Sequence, residues 1–514
     1  MDEWNENIAG IKCSLELERT KEQRRAYLEE VNRCRDPIQR LPVEIAASVF
    51  SFCLPRLPSR DASNIDRGTQ KKIAIHPIQF CLGSVCRYWR QVVCSTPQMW
   101  NILWVHLSFC TPEVRSELLA EWLGRSGQLP LYVSIFYIYD PYPDGESEEG
   151  PRPGTIAWSS ISRMMNMLFL NANRMRVLHL SLLSPQLLCF EQLQDANPAT
   201  EAVTTSCILE ELSIEVYGIS KMGSPNFELR GRILSPTHVS LRIIKPAQIR
   251  IQWEHVTRVE ALDIPIKDAL EILKMAPQLQ HFKWESHNGK GSYHGEPILF
   301  THSSLKSLDL STSFLPDFLD LIKCSSLEEF SSRLCCDDSL TLQNFIKRSE
   351  CSLKKLTFGS SSNIQLMSVL RLTPSLTHLS LKKFKFPDEF LEIFRKTAHF
   401  EKGTFARGNS QGIFLPDLRS FTCTVDFEGF RWSKILSLIP RSRDGTELVC
   451  RPLSEIEIVS SRRMGAYDAK YAMSEESLIQ AFELFRDRGV SLKITDVDGT
   501  DLTRLFRHEM HADE

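Results

Sequence analysis

The sequence predicts an α/β protein in which a small all-helical block precedes a long solenoid of strand–helix repeats. After about residue 175, a six-residue pattern of apolar and polar residues returns about ten times, and amphipathic helix candidates separate several of its copies. Between 37 and 107, the apolar residues instead recur at helical spacing. We therefore expect parallel strands on a concave face, with the helices outside.

Composition narrows the class of protein. The chain has 514 residues, of which 42% are hydrophobic and 24% charged, as in water-soluble globular proteins. Its net charge of -3 predicts no general attraction to nucleic acid or to an anionic membrane. The most apolar run, 129–139, is too short to cross a bilayer and predicts a buried strand. We therefore expect neither nucleic acid nor a membrane as a partner.

The fifteen cysteines are scattered, and the closest groups are Cys81 with Cys86 and the adjacent Cys335 and Cys336. No CxxC pair occurs, whereas a structural zinc site needs closely spaced pairs of ligands. The spacing thus predicts reduced, buried thiols in a reducing compartment, with no metal and no cofactor. Residues 1–36 do not resemble a signal peptide. We expect a cytoplasmic or nuclear protein.

The chain begins with a predicted charged helix over 1–36, which Asp36 and Pro37 end. Glu18 and Glu22 fall where a coiled-coil seam would continue, so a short solvated helix is expected instead of a coiled coil.

The helical block is predicted over 37–107. Pro42 is well placed in the first turn of a helix, and a second helical pattern runs from Phe80 to Val93. The polar residues 56–77 between the two patterns predict an inserted surface loop. Residues 108–174 are predicted to form a connecting segment, which contains an acidic, Pro- and Gly-rich loop at 140–154.

The repeats are predicted over 175–514. Each unit reads apolar, two polar, apolar, polar, apolar, and the copies begin at Met175, Leu209, Val259, Leu279, Leu305, Leu327, Leu353, Leu376, Leu418 and Leu453. From 279 to 376 the starts lie 26, 22, 26 and 23 residues apart, which is the period of leucine-rich repeats. Helix candidates between the units are Lys267–Lys274, Phe318–Lys323, Leu342–Lys347, Leu366–Leu372 and Phe390–Lys396. An ordinary α/β domain with similar buried strands remains the alternative.

Short motifs run through the helical block in a fixed order: Leu41-Pro42-Val-Glu44-Ile45, Val49-Phe50, Val85-Cys86-Arg87-Tyr-Trp89-Arg90, and Pro97 to Trp100. Together they resemble the F-box family, in the divergent form that is numerous in mushroom-forming (basidiomycete) fungi and that also carries a charged helix upstream. The chain departs from the family in the polar insertion between Pro55 and Ile78. Leucine-rich repeats behind an F-box are a familiar pairing in this family.

The resemblance implies a function. F-box helices dock on the Skp adaptor subunit of a cullin–RING ubiquitin ligase, and the distal domain holds the target protein. The positions that correspond to adaptor contacts are Leu41, Pro42, Ile45, Val49 and Phe50. Val85, Cys86 and Trp89 either contact the adaptor or pack the helices together, and an aromatic anchor at an interface cannot be told from one in a core by sequence.

One stretch of the sequence resembles a catalytic motif. The stretch from Asp496 through Asp498 to Thr500 resembles the DxDxT nucleophile motif of haloacid-dehalogenase-type phosphatases, in which the first carboxylate attacks phosphorus. Only fourteen residues follow Thr500, which leaves no room for the lysine and acidic pair that this chemistry needs. A turn after the last strand is therefore expected here. No Walker loop, GxGxxG, GxSxG or HExxH occurs.

The expected function is accordingly non-catalytic. The first hypothesis is a target-recognition adaptor of a Skp–cullin–F-box ubiquitin ligase, which binds an unknown protein through its repeats. The second is a leucine-rich-repeat interaction scaffold that acts without a ligase, in which the helical block only caps the array, because an open solenoid end must be shielded.

Overall fold

The structure is a computed structural model and describes residues 16–28, 30–31, 34, 36–54, 78–107, 112–137, 158–183, 209–217, 227, 234–286, 299–312, 315–335, 339–359, 363–382, 390, 392–394, 400–401, 414–427, 430, 432–436, 438, 448–449, 452–463 and 476–503. The chain divides into two compact units. The first unit comprises residues 1–236 with 248–251, and the second comprises 237–247 with 252–514.

The first unit contains the helical block. Residues 16–28 are helical, and the block continues with α1 (Val43–Ser51), α2 (Ile78–Val85) and α3 (Arg87–Ser95). Pro42, which the sequence predicts in the first turn of a helix, occupies the N-cap position directly before α1. The predicted inserted loop at 56–77 and the start of the predicted charged helix, 1–15, lie outside the described residues.

Four parallel strands follow in the first unit. They pair in sequence order, and their elements are β1 (Ile102–Leu107), α4 (Pro112–Arg125), β2 (Leu131–Tyr137), α5 (Trp158–Leu170), β3 (Met175–Leu183) and β4 (Glu211–Tyr217). The strand–helix alternation thus begins at residue 102, ahead of the start at 175 that the sequence predicts. The segment 108–174, predicted as a connection, carries a strand and two helices that lack the six-residue unit. Its acidic loop at 140–154 lies outside the described residues.

The second unit continues the same alternation over a longer stretch. Ten of its strands form parallel pairs in sequence order: β5 (His238–Arg242), β6 (Arg258–Leu262), β7 (His281–Ser286), β9 (Ser307–Thr312), β11 (Glu329–Cys335), β12 (Lys355–Gly359), β13 (His378–Lys382), β15 (Ser420–Val425), β17 (Glu455–Ser460) and β18 (Ser491–Thr495). Short strands pair beside them: β8 (Phe300–Thr301) with β10 (Ile322–Lys323), and β14 (Phe400–Glu401) with β16 (Leu448–Val449). The helices are α6 (Ile266–Met275), α7 (Leu315–Asp320), α8 (Ser339–Ser349), α9 (Asn363–Arg371), α10 (Ser433–Leu436) and α11 (Glu476–Asp487).

A repeated hydrogen bond joins successive repeats at the start of their strands. The carbonyl of Lys306 accepts the amides of Glu328 and Glu329 at 2.8 and 2.9 Å, and the carbonyl of Glu328 then accepts those of Lys354 and Lys355. The same arrangement, in which one carbonyl accepts from two successive amides, repeats along the unit. It begins at the carbonyl of Thr237, just before β5, and ends at the amide of Glu455, at the start of β17. Because each step satisfies the same backbone groups in the same way, the second unit is a regular parallel array of solenoid type.

The core lies between the strands and the helices. The leading leucines of six units are 0% exposed: Leu279, Leu305, Leu327, Leu353, Leu376 and Leu418. Phe318 of α7 packs on Trp284 of β7, with ring centroids 4.9 Å apart, and Phe345 of α8 packs on Phe330 of β11 at 6.3 Å. The helices therefore cover one face of the sheet, and the alternate side chains form its opposite, polar face.

The six-residue units locate the strands well. In eight of the ten copies the strand begins two residues after the first residue of the unit, as with Leu305 and β9. The sequence missed β5, in which Pro236 stands where other copies have leucine. The predicted helix Phe318–Lys323 differs from the structure, since α7 ends at Asp320 and Ile322 and Lys323 pair with β8. The candidate Phe390–Lys396 is described only at 390 and 392–394, which are helical.

Candidate interaction surfaces

Helix α1 and the residue after it carry large apolar side chains into solvent. Ile45 is 49% exposed, Val49 is 38% exposed and Phe52 is 88% exposed. Their spacing of four and three residues puts them on one helix face. Ala46 and Phe50 instead are buried, at 0% and 1% exposure. We call Ile45, Val49 and Phe52 the α1 patch. A cluster of exposed apolar side chains of this kind marks an interaction surface.

Three of the predicted residues lie in or beside the contact between α1 and α3. Phe50 packs on Trp89 of α3, with ring centroids 4.7 Å apart. The Trp89 indole donates from Nε1 to the Asp36 carboxylate at 2.6 Å, and its backbone amide donates to the Cys86 thiol at 3.5 Å. Phe50, Trp89 and Cys86 therefore hold the segment before α1 against α3, and Phe50 does not belong to the exposed patch.

The remaining predicted residues lie at the edge of the helical block. Leu41 is half-buried, and its carbonyl accepts from the Tyr88 hydroxyl at 3.2 Å, while Pro42 is exposed. Val85, the last residue of α2, is 57% exposed. Sequence reasoning missed Phe52, because a phenylalanine near a helix end looks the same whether it packs inward or faces water. The helical period from Ile45 through Val49 is the signal that could have identified it.

An aromatic cluster joins the helical block to the first strand–helix unit. Phe80 of α2 and Trp122 of α4 both pack edge-on against Trp100, with centroids 6.0 and 5.8 Å away. The Trp100 indole donates to the Val93 carbonyl at 2.8 Å, and the Arg125 guanidinium lies 4.5 Å above its ring. The block therefore shares a buried core with the start of the first unit's sheet.

The polar strand face of the second unit has a charged portion over β5 to β7. Glu260 is 9% exposed and lies between Arg258, at 3.0 Å, and Lys283, at 3.7 Å. Arg242 pairs with Asp263 at 3.6 Å. Because the buried Glu260 carboxylate lies between two cations, its charge is matched within the protein.

A second portion of that face carries hydroxyl groups in place of charges. Four register-aligned residues on successive strands form it: Ser331, Thr357, Ser380 and Thr422. All four are half-buried, and the next residue in register is Glu457 on β17. The Thr422 hydroxyl donates to Glu457 at 3.4 Å, and the Thr495 hydroxyl donates to its other carboxylate oxygen at 3.3 Å. We call these four residues the hydroxyl row.

In the first unit, the strand face holds a small histidine–carboxylate group. His179 of β3 lies 3.0 Å from a carboxylate oxygen of Glu211 on β4, and the Ser181 hydroxyl donates to Glu215 at 3.2 Å. Both contacts join β3 to β4 and help to hold the two strands in register.

The DxDxT-like stretch forms a turn after the last strand, as the sequence predicts. The Asp496 carboxylate is 5% exposed and accepts the amides of Asp498 and Thr500 at 3.0 and 2.8 Å. The Asp498 carboxylate pairs with Arg463. A carboxylate whose oxygen closes its own turn is positioned for structure and is poorly placed for attack on a substrate.

Three cysteines of the second unit have a raised pKa because they are buried or half-buried. Burial raises the pKa of Cys324 to about 12 and that of Cys351 to about 11, and it raises the pKa of Cys423 well above its ordinary value. Since the thiolate is the reactive form, these three side chains are packing residues at neutral pH.

Among the described residues, no group of three or more His, Cys, Asp or Glu side chains is arranged to hold a metal ion. Across the same stretches, none of the helices is both long and apolar enough to span a bilayer. In comparisons with known proteins, no family model matches the chain, and no curated protein matches it.

Proposed function

We propose that this chain is a non-catalytic target-recognition adaptor of a Skp–cullin–F-box ubiquitin ligase. In this proposal the helical block docks on a Skp-type adaptor, and the repeats bind a target protein. Binding energy then holds the target near a ubiquitin-charged enzyme, which raises the effective concentration of its lysines without any active site in this chain. The cytoplasm and the nucleus, where such ligases work, are the proposed compartments.

The single observation that carries the proposal is the outward α1 patch. If the helical block only capped the array, its apolar residues would be expected to face the array, as Ala46 and Phe50 face the interior. Ile45, Val49 and Phe52 instead remain in water on one helix face. Burying an apolar side chain of this size against a partner stabilises the complex by about 1.5–3 kcal/mol. The patch therefore suits a protein partner that covers α1.

Leu41, Pro42 and Val85 extend the proposed docking surface at its edges, because they are at least partly exposed. Cys86 and Trp89 take the packing role that the resemblance leaves open, and Phe50, which the resemblance places among the adaptor contacts, takes that role with them, since their contacts hold α1 and α3 together. They support docking by fixing the direction in which the α1 patch faces.

A second candidate function is a ligase-independent interaction scaffold. The observation in its favour is the cluster of Phe80, Trp100 and Trp122, through which the helical block shares a core with the first strand–helix unit. A capping module is expected to make such a shared core. The two roles differ in what they require of the exposed face of α1, which makes that face the place to test them.

The experiment is co-expression of the full chain with a Skp-type adaptor, followed by size-exclusion chromatography with light scattering. We expect a one-to-one complex that forms with the unaltered chain. Replacing two patch residues together, Ile45→Asp with Phe52→Ser, should abolish the complex, because a carboxylate at the centre of an apolar interface must be desolvated without a partner.

The matched control is Leu170→Ser, which alters a side chain on α5 that is 67% exposed and lies outside the patch. It should leave the complex intact, and circular dichroism should give the same unfolding temperature for all three proteins within a few degrees. A well-behaved monomer that ignores the adaptor would favour the scaffold. A patch variant that still binds the adaptor would show that docking does not depend on the α1 patch.

A further inference from the structure

The hydroxyl row carries hydrogen-bonding groups that are not used inside the protein. Within the described residues, the hydroxyls of Ser331, Thr357 and Ser380 make no hydrogen bond. The side chains before and after the row in register are Asp309 and Glu457, so the row is an uncharged stretch between carboxylates.

The charges beside the row are largely matched within the protein. Lys355 pairs with Glu329 at 2.7 Å, and these residues stand two positions before Thr357 and Ser331 on their strands. At the β17 end, Lys493 pairs with Glu455, although it lies opposite Glu457 in register. Glu455, Glu457 and Lys493 thus leave one net negative charge, and the hydroxyls that reach Glu457 are neutral.

We propose that the hydroxyl row binds an extended, mostly uncharged peptide segment that crosses the strands and carries a lysine or arginine at the Glu457 end. A hydroxyl both donates and accepts, so a row of them can match the amide and carbonyl groups of a main chain whatever its side chains are. Such a row suits a peptide better than an anion, because the nearest unmatched charge is a carboxylate.

The dimensions set the length of the segment. Neighbouring strands lie about 4.8 Å apart, so the four intervals from Ser331 to Glu457 span about 19 Å. An extended chain advances about 3.3 Å per residue, and about six residues therefore cover the row. The basic residue is expected at one end of that hexapeptide, within reach of the Glu457 carboxylate.

This inference deepens the proposed function by naming the class of target segment, and it is tested without the ligase. The unaltered full chain is immobilised and panned against a random library of linear twelve-residue peptides, and enriched peptides are resynthesised with a fluorophore. Dissociation constants are then measured by fluorescence anisotropy. Loss of adaptor docking leaves this measurement unaffected, so the two proposals fail separately.

The expected result has three parts. Enriched peptides share a lysine or arginine beside an uncharged stretch of about six residues. Glu457→Gln weakens their binding about tenfold, since one charge-assisted contact is lost. Ser380→Arg abolishes binding, because it fills the middle of the row with a long cation. Ser380→Ala removes one hydroxyl with no added bulk and weakens binding by about fivefold, which keeps the test valid if the arginine variant misfolds.

The matched control is Ser240→Arg. Ser240 is half-buried and lies on β5 of the same face, at the position that corresponds to the hydroxyl row, but six strands away from Ser380 in pairing order. Its substitution should leave peptide binding unchanged. Failure to enrich any peptide, enriched peptides without a basic residue, or equal sensitivity to Ser240→Arg and Ser380→Arg would each overturn the inference.

Discussion

Helix α1 in the first unit and the strand face of the second unit are both exposed, and they offer opposite chemistry. The α1 patch presents Ile45, Val49 and Phe52, whose apolar side chains are stabilised only by being buried away from water. The strand face presents hydroxyl and charged groups, whose apolar neighbours Leu356 and Leu379 point to the other side and are 1% exposed. A partner of α1 is therefore selected by shape and burial, and a partner of the strand face by hydrogen bonds.

The difference arises from the number of layers around each element. Strands β7 to β13 have helices on one side, which bury every second side chain and leave the alternate, polar ones outside. Helix α1 is buried only along the stripe that holds Ala46 and Phe50, so the apolar residues beside that stripe stay exposed. The repeats thus complete their own core, whereas α1 leaves apolar surface for another molecule.

The largest expected effect tests this contrast directly. Trp284→Ala should lower the free energy of unfolding by about 3–5 kcal/mol, because the side chain is 0% exposed and packs on Phe318. Phe52→Ala should change it by less than about 0.5 kcal/mol, since Phe52 is 88% exposed. Urea denaturation followed by circular dichroism measures both. A comparable loss in the two variants would show that Phe52 supports the fold and is not free for a partner.

A smaller effect asks whether the two units are built alike. In the first unit, the buried Arg174 guanidinium donates to the carbonyls of Leu123 and Leu129, and burial lowers its pKa. In the second, Arg348 donates to the carbonyls of Leu319 and Ile322. Both arginines satisfy acceptors near the end of a preceding helix.

Arg174→Met and Arg348→Met should each cost about 1–3 kcal/mol, because buried carbonyls lose their donors. The measurement is again urea denaturation, with the exposed Arg371→Met as the control that should be nearly neutral. If only one of the two substitutions lowers the free energy of unfolding, the two units do not share this arrangement, in which an arginine donates to carbonyls near a helix end.

The smallest expected effect concerns acid. His302 is 3% exposed, its Nε2 lies 3.1 Å from the Ala276 carbonyl, and its Nδ1 is buried without a hydrogen bond. Burial lowers the pKa of His302, so between the folded and unfolded values the unfolded chain binds more protons. The free energy of unfolding therefore keeps its full value at neutral pH. It decreases as the pH falls below about 6.5, by at most about 1.4 kcal/mol per pH unit.

Urea denaturation at pH 7.5 and 5.5 should show the loss, and His302→Leu should reduce the difference between the two pH values. An unchanged pH dependence in that variant would assign the acid sensitivity to other groups. The α1 patch contains no titratable side chain and Phe52→Ala adds none, so the stability of the Phe52→Ala variant should follow pH as that of the unaltered chain does.

The repeat period was predictable because each unit repeats the same burial pattern. Leu305, Leu308 and Leu310 are all 0% exposed. Because every repeat has to bury apolar residues at these equivalent positions, the repeat period is visible in the sequence. The burial of a side chain is not predictable where the residues that surround it come from distant parts of the chain. Pro236 hides one copy of the unit, and nothing local distinguishes Phe50, which packs on Trp89, from Phe52, which faces water.

The sequence by itself therefore determined the alternation of strands and helices, the leading leucines and the apolar character of α1. Tertiary structure alone decided which face of α1 is exposed, because that depends on where α3 packs. It also decided that Ser331, Thr357, Ser380 and Thr422 form one row. These residues lie far apart along the chain, and only the register of parallel pairing, set by the burial of the residues between them, brings their hydroxyls into line.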